Sequence, residues 1–383
     1  MESEKMELNA SLVESLSMIE DPRIERTKDH DLLDILVLSV MAVICGAEGW
    51  EDIETFGRLR KDWLRQFIRL RNGIPSHDTI SRVFRIIRPG AFQEAFLAWV
   101  KQLGDIEGLN IVAIDGKSLR RSHDAKSFKK MLHTVCAFSA ANHVVLGMKS
   151  VDEKSNEIVA IPELLKQLTL KGMIITIDAM GTQKEIAEQI IDGGADYVLA
   201  VKDNHPTLHA AIAEHFDSIY DDEEKAGTKQ ITRKNKGHGR EETRQFTHSP
   251  IPESMSEIVK QWKDAKSIGQ VNTVVYREGK EVGEIRYYLS SLPVGVNKFA
   301  ESVRQHWSIE NSLHWVLDMT FNEDQSRIRK ENSAENFALL RRFALNIIRQ
   351  DTSPATSKLS IRKRRKIAAW DPNYLLNIMA TAT

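Results

Sequence analysis

Residues 111–115 read Ile-Val-Ala-Ile-Asp, and residues 173–178 read Met-Ile-Ile-Thr-Ile-Asp. Each is a short apolar run that stops at an aspartate, the texture of a buried strand opening onto a loop. A similar run, Tyr-Val-Leu-Ala-Val at 197–201, leads into Lys202-Asp203-Asn204. Residues 133–140 and 143–149 are rich in β-branched side chains and meet at Ala141-Asn142, which predicts a hairpin. Residues 161–170 and 183–192 look helical, the second closing at Gly193-Gly194. The order is three strands, helix, strand, helix, strand. That is an antiparallel meander followed by parallel strands with crossover helices.

This order is the ribonuclease H-like pattern, so the expected fold class is α/β with a mixed sheet. Residues 204–292 interrupt it with a helix near 208–220, a polar loop, and strand-like runs at 242–247, 267–276 and 284–290. They read as a mostly β insertion. Helices are expected at 297–317 and 334–349. Residues 1–105 read as a helical domain. There, 32–46 is nearly all apolar and therefore central, and 50–71 is amphipathic. A turn at 73–76 precedes a helix over 79–88 that stops at Pro89-Gly90, with Ser76 or Asp78 placed to cap it. The expected divisions are thus 1–105, 106–203, 204–292, 293–350 and a basic tail at 351–383, loosely ordered until Trp370.

The 383 residues carry 53 Lys and Arg against 54 Asp and Glu, a net charge of −1. Positive charge is nevertheless local. Arg58, Arg60, Lys61, Arg65, Arg69 and Arg71 form one cluster and 362–366 another, offset by acidic stretches such as 221–224. No apolar run is long enough to span a membrane. The acidic start lacks the apolar core of a secretory signal. Two distant cysteines, Cys45 and Cys136, exclude a disulfide framework and suit a reducing cytoplasm.

If the first and fourth strands are neighbours, Asp115 and Asp178 converge at one edge. Two such carboxylates repel unless a cation lies between them. Mg2+ and Mn2+ take oxygen ligands, and a pair of such ions about 4 Å apart serves phosphoryl transfer. The alternative is that each aspartate only caps a turn. Glu310 is the third candidate. On a regular helix it shares a face with Val303, Trp307, His314 and Leu317, where a glutamate needs a metal or an ion-pair partner such as Arg304. His306, Glu310 and His314 recur at four-residue steps, a zinc-like set that would leave both aspartates unexplained.

Six stretches carry a resemblance: AIDGKSLRRS (113–122), EKSNEIVAIPELL (153–165), ITIDAMGTQ (175–183), YVLAVKDNHPTL (197–208), GHGREETR (237–244) and RQHWSIENSLHWVLDMTFNEDQSRIR (304–329). In these the chain resembles the H-repeat-associated transposases, a branch of bacterial insertion-sequence DDE transposases. Residues 31–88 look like the family's associated N-terminal domain. The resemblance implies a catalytic triad of Asp115, Asp178 and Glu310 holding Mg2+ or Mn2+, two ions per site. It implies cleavage at transposon ends and strand transfer into target DNA, with a homodimer on DNA. The alternatives are a nuclease without strand transfer and a domesticated transposase-derived DNA-binding protein. The wider superfamily has an arginine where His306 stands and a lysine where Leu317 stands. Arg304, Lys202 and Arg240 are candidate substitutes as phosphate contacts. Lys117 and Arg120, close to Asp115, could meet a DNA phosphate or be solvated surface. The face formed by Arg58, Lys61, Arg65 and Arg69 is a candidate phosphate-binding surface, and 76–88 a candidate recognition helix.

Overall fold

The computed structural model describes residues 8–103, 111–123, 131–151, 157–219, 227–237 and 240–381. The acidic run at 221–224, and residues 153–156 and 238–239 of two of the matched stretches, lie outside the described residues.

Nine strands form one sheet: β1 (Ile111–Ser118), β2 (His133–Ser139), β3 (Val144–Val151), β4 (Ile174–Ile177), β5 (Asp196–Val201), β6 (Lys229–Gly237), β7 (Arg240–Pro250), β8 (Ser267–Arg277) and β9 (Lys280–Ser290). Their spatial order is β3-β2-β1-β4-β5-β9-β8-β7-β6. The first five reproduce the expected ribonuclease H-like arrangement. β1 runs antiparallel to β2 and parallel to β4, and β4 runs parallel to β5.

The four strands from 229 to 290 do not build a sheet of their own. β9 returns to pair antiparallel with β5, Leu199 opposite Leu289, and the meander extends outward from there. The stretch expected as a polar loop contains β6. Its side chains are almost all exposed, so it carries no apolar alternation from which a strand could be read.

Alternation in the central strands sends successive side chains to opposite faces. Ile111, Ile174 and Val198 join Phe299 and Val303 of the helix Val296–His306 in one cluster. Val112, Ile175 and Leu199 belong to the larger core, with Ile161, Leu164 and Ile186 from the helices Glu157–Leu165 and Lys184–Asp192. Gly269 makes room for the outer edge of the Phe299 ring, because a Cβ there would stand 2.2 Å from its Cζ.

The helix Leu32–Ile44 is central, as its composition predicts, and packs along the helix Ser333–Arg349. Phe92, Phe96 and Trp99 all meet Phe343 of that helix. The N-terminal helices therefore share their core with the segment that follows Glu310.

Four expectations need correction. The amphipathic stretch is not one helix: it runs Trp50–Leu59, breaks at Arg60, and resumes only as Lys61–Leu64. Arg60 donates to the Ala369 carbonyl, and Asp34 accepts from the Arg69 and Leu70 backbone. Arg58, Lys61, Arg65 and Arg69 therefore do not share one helical face. Pro89 does not merely stop a helix; it opens the next, Pro89–Gln102, at the first position, where its missing N–H costs nothing.

The tail after 351 is not loose, since it forms the helices Ile361–Trp370 and Pro372–Ala380. Arg365 is buried and donates to the Val43 and Ile44 carbonyls, capping the C-terminal end of Leu32–Ile44. Arg364 donates to the Ile348 carbonyl. Finally, the helix expected over 297–317 is interrupted. A π turn at Ile309–His314 separates Val296–His306 from Trp315–Phe321 and shifts the helical phase. Among the described residues no helix is long and apolar enough to cross a membrane.

Candidate active site

Parallel pairing sets the first two acids side by side. Ile114 is the partner of Ile177, so Asp115 and Asp178 occupy adjacent positions on neighbouring strands. Asp178 follows the end of β4 as expected, but β1 runs on to Ser118 and Asp115 lies within it, opposite Cys136 of β2. Asp178 turns its Oδ1 to accept from the backbone N–H of Met180 and Gly181, each at 3.1 Å, which fixes its carboxylate. Glu310 arrives from the π turn, anchored by Ile309 and Leu313, both fully buried. All three acids line a cavity of about 170 Å³ together with Lys202, Arg286 and His306.

The cavity is electrostatically strained. Burial, followed by the negative charges of Glu310 and Asp178, pushes the Asp115 carboxyl up to about 8. The neighbouring His314 ring holds Glu310 below its ordinary range. His314 Nδ1 lies 3.6 Å from Asp115 Oδ2 and 3.6 Å from Glu310 Oε2. One ligand atom each from Asp115, Glu310 and His314 lie within 4.8 Å of one another. Oxygen donors with a surplus of negative charge suit a hard divalent cation, so the residues present fit one.

Behind Asp115 stands a second polar layer. Glu157 hydrogen-bonds His133 Nε2, and the Ser118 hydroxyl is 2.8 Å from His133 Nδ1. Gly116 makes room for this layer: a Cβ there would lie 2.2 Å from Glu157 Oε1. Glu157 falls inside one of the matched stretches, yet on a helical reading it passes for an ordinary surface residue.

The candidate DNA-contacting residues separate into groups. Lys202 and His306 line the cavity. His306 is half-buried, its Nδ1 3.0 Å from the Thr176 hydroxyl, and burial pushes it down to about 4, so the ring is neutral. Facing Thr176, it does not join Glu310 and His314, and the zinc-like set is not assembled. Lys117 is buried and turned away, paired with Asp318 at 2.7 Å and Asp324 at 3.0 Å; Arg120 pairs with Asp324 at 3.2 Å. Arg240 pairs with Glu242 at 2.8 Å. Arg304, Arg240 and Arg286 lie close enough to Arg244 for their charges to lower its pKa further, after burial. Arg58 pairs with Glu54, and Arg65 lies 3.8 Å from Asp62. Arg58, Lys61, Arg65 and Arg69 do not line the cavity.

Arg286 is the residue that sequence reasoning missed. Its guanidinium sits 4.2 Å over the Trp307 ring and grips Glu284 with two bonds of 2.7 and 2.8 Å. The run at 284–290 was legible as a strand, and alternation puts Glu284, Arg286 and Tyr288 on one face. Nothing in the sequence says that this face meets Asp115.

Comparison with known proteins agrees with the geometry. The profile described as "Transposase DDE domain" matches residues 107–347, and one described as "DDE_Tnp_1-associated" matches 13–100. The chain is 41% identical over 379 residues to "H repeat-associated putative transposase YhhI" of Escherichia coli (strain K12), covering 98% of this chain and 99% of that protein. It is also 41% identical over 381 residues to "Putative transposase YncI" of Escherichia coli O157:H7, covering 97% of this chain and 95% of that protein. Matches of this reach, joined to two aspartates on adjacent strands and a helical glutamate lining one cavity, mean that the chain belongs to the H-repeat-associated branch of the DDE transposases.

Proposed function

We propose that this chain cleaves DNA at transposon ends and joins the freed 3′ ends to target DNA, with Asp115, Asp178 and Glu310 as the catalytic acids. The observation that carries the reading is the parallel register of β1 and β4, which brings Asp115 and Asp178 together in one cavity with Glu310. These three would hold Mg2+ or Mn2+, two ions per site. Bound there, such ions supply activation of the attacking oxygen and neutralisation of the leaving one.

The chain's own groups do the remainder. Asp178 is held by its turn, so its carboxylate is preorganised rather than swinging. Glu310 is the exposed member of the trio and the one most able to reposition as DNA enters. Lys202 and Arg286 face a phosphate in the cavity, while Arg304 and Arg240 extend the positive surface along the strands from 229 to 290. Transposition pairs two ends, so the working form is a homodimer on DNA.

The test uses duplexes taken from the DNA flanking the chain's own reading frame. Asp115→Asn should abolish nicking and joining while end binding persists. Retained cleavage by that variant would remove Asp115 from the mechanism. Joining of pre-cut ends by the unaltered chain separates a transposase from a nuclease that only hydrolyses.

A further inference from the structure

We infer that His314 is a metal ligand, completing with Asp115 and Glu310 a mixed oxygen and nitrogen site that favours a transition divalent ion over magnesium. The inference rests on the carboxylates holding metal, as proposed above, and concerns which further atom joins them.

The first observation is distance. His314 Nδ1 stands 3.6 Å from both Asp115 Oδ2 and Glu310 Oε2. That is beyond a good hydrogen bond. It is close to the span between two ligands of one ion, because bonds of roughly 2.1 Å at a tetrahedral angle set their atoms roughly 3.4 Å apart. The two carboxylates complete the set, since one ligand atom from each of the three side chains lies within 4.8 Å of the others.

The second observation is independent of the acids. His314 is only 5% exposed, and its Nε2 has no hydrogen-bond partner among the described residues. A buried imidazole normally has its ring nitrogens engaged, since an unpaired polar group is costly to bury. Here Nδ1 is the nitrogen turned toward the two carboxylates, and at 3.6 Å from each it has no good hydrogen bond to either. The π turn holds it there, with Leu313 fully buried beside it.

The third point is chemical. Imidazole is a poor partner for magnesium, which prefers oxygen, and a better one for first-row transition ions. A site with one nitrogen donor should therefore bind Mn2+ more tightly than Mg2+ by a wider margin than carboxylates alone would give.

The test is spectroscopic and needs no DNA. The full chain is titrated with Mn2+ alone, and electron spin-echo modulation is recorded on the bound ion. Modulation from a directly bound 14N is expected. It should change to the 15N pattern when the protein is grown with 15N-histidine, a readout that needs no substitution. It should vanish in His314→Gln, with Mn2+ affinity falling at least tenfold and Mg2+ affinity changing less. His306→Gln should leave it intact.

Bound Mn2+ without nitrogen modulation, or modulation that survives His314→Gln, would overturn the inference while leaving the carboxylate site standing. Mn2+ binding that is indifferent to Asp115→Asn would instead remove the carboxylate reading, and this inference with it.

Discussion

The Lys117 ammonium stands 2.7 Å from the Asp318 carboxylate, tying the strand that carries Asp115 to the helix that follows Glu310. Asp324 closes the same contact from the next turn at 3.0 Å. Behind it, Glu323 is buried between Arg341 and Arg342. Glu323 and Asp324 thus form an ionic joint between sheet and helix. Removing the cation would leave Asp318 and Asp324 facing each other in a partly buried space. Lys117→Met should therefore cost about 3 kcal/mol, as breaking a buried ion pair does. The urea midpoint of the purified variant measures this. A loss below 0.5 kcal/mol would mean that the contact is only a surface pair.

Arg286 is held in reserve by Glu284, and a DNA phosphate would have to take Glu284's place. Arg286→Ala should weaken binding to end duplexes about tenfold, the worth of one charged hydrogen bond. It should also reduce the slope of log affinity against log salt by about 1. Glu284→Gln should move affinity the other way, because the arginine no longer has to leave a partner. Binding titrations at several salt concentrations distinguish the two. An unchanged slope in Arg286→Ala would show that no phosphate sits on this residue.

The sheet's centre was legible because local pattern and fold agree there. Apolar runs ending at Asp115 and Asp178 read as buried strands, and the condition left open there, that the first and fourth strands are neighbours, is met by the parallel pairing of β1 with β4. Glu310 was legible both as a glutamate on an apolar helical face and through resemblance, but the first ground was drawn wrongly. That face assumes a period of 3.6 residues, and the π turn at Ile309–His314 breaks that period. Trp307, assigned to the inward face, is instead 40% exposed under Arg286. The tail misled for a different reason. A run of five basic residues looks solvated, but Arg364 and Arg365 carry their charge to buried backbone carbonyls, which composition cannot reveal. Arg286 and Glu157 reach the site through strand order and helix docking, both long-range facts.

Gly116 offers a test of the layer behind the site. It follows Asp115 directly, and any Cβ would run into Glu157 at 2.2 Å and His133 at 2.6 Å. Both are buried and bonded to each other, so neither can swing clear. Gly116→Ala should push β1 or Glu157 aside and displace Asp115. The expected outcome is a folded protein whose cleavage rate falls by about a hundredfold, the scale on which a 1 Å misplacement acts. Circular dichroism establishes the fold and a nicking assay the rate. Normal cleavage would mean that the Glu157–His133 pair yields without moving Asp115.

His248 predicts an acid-sensitive joint on the opposite side of the sheet's centre. Its Nδ1 accepts from the Gly295 N–H at 3.0 Å, so the proton is on Nε2, which donates to Ser267 Oγ at 2.8 Å. The ring stacks on Phe299, centroids 4.7 Å apart. A second proton on Nδ1 would face an N–H, and burial pushes the ring down to about 4 from an ordinary 6.5. The unfolded chain takes that proton readily as pH falls below about 6.5, while the folded chain refuses it until about 4. Stability is therefore fully present above the higher value and declines between the two, by about 3 kcal/mol for this group. His248→Gln keeps an acceptor and a donor but does not titrate. It should be less stable than the parent near neutral pH and lose less on acidification. The other lowered histidines, His143, His215 and His306, act equally in both proteins, so the difference between the two pH profiles isolates His248. Urea unfolding at intervals from pH 7.5 to 4.5 gives both profiles, and parallel curves would exclude a buried neutral ring at this position.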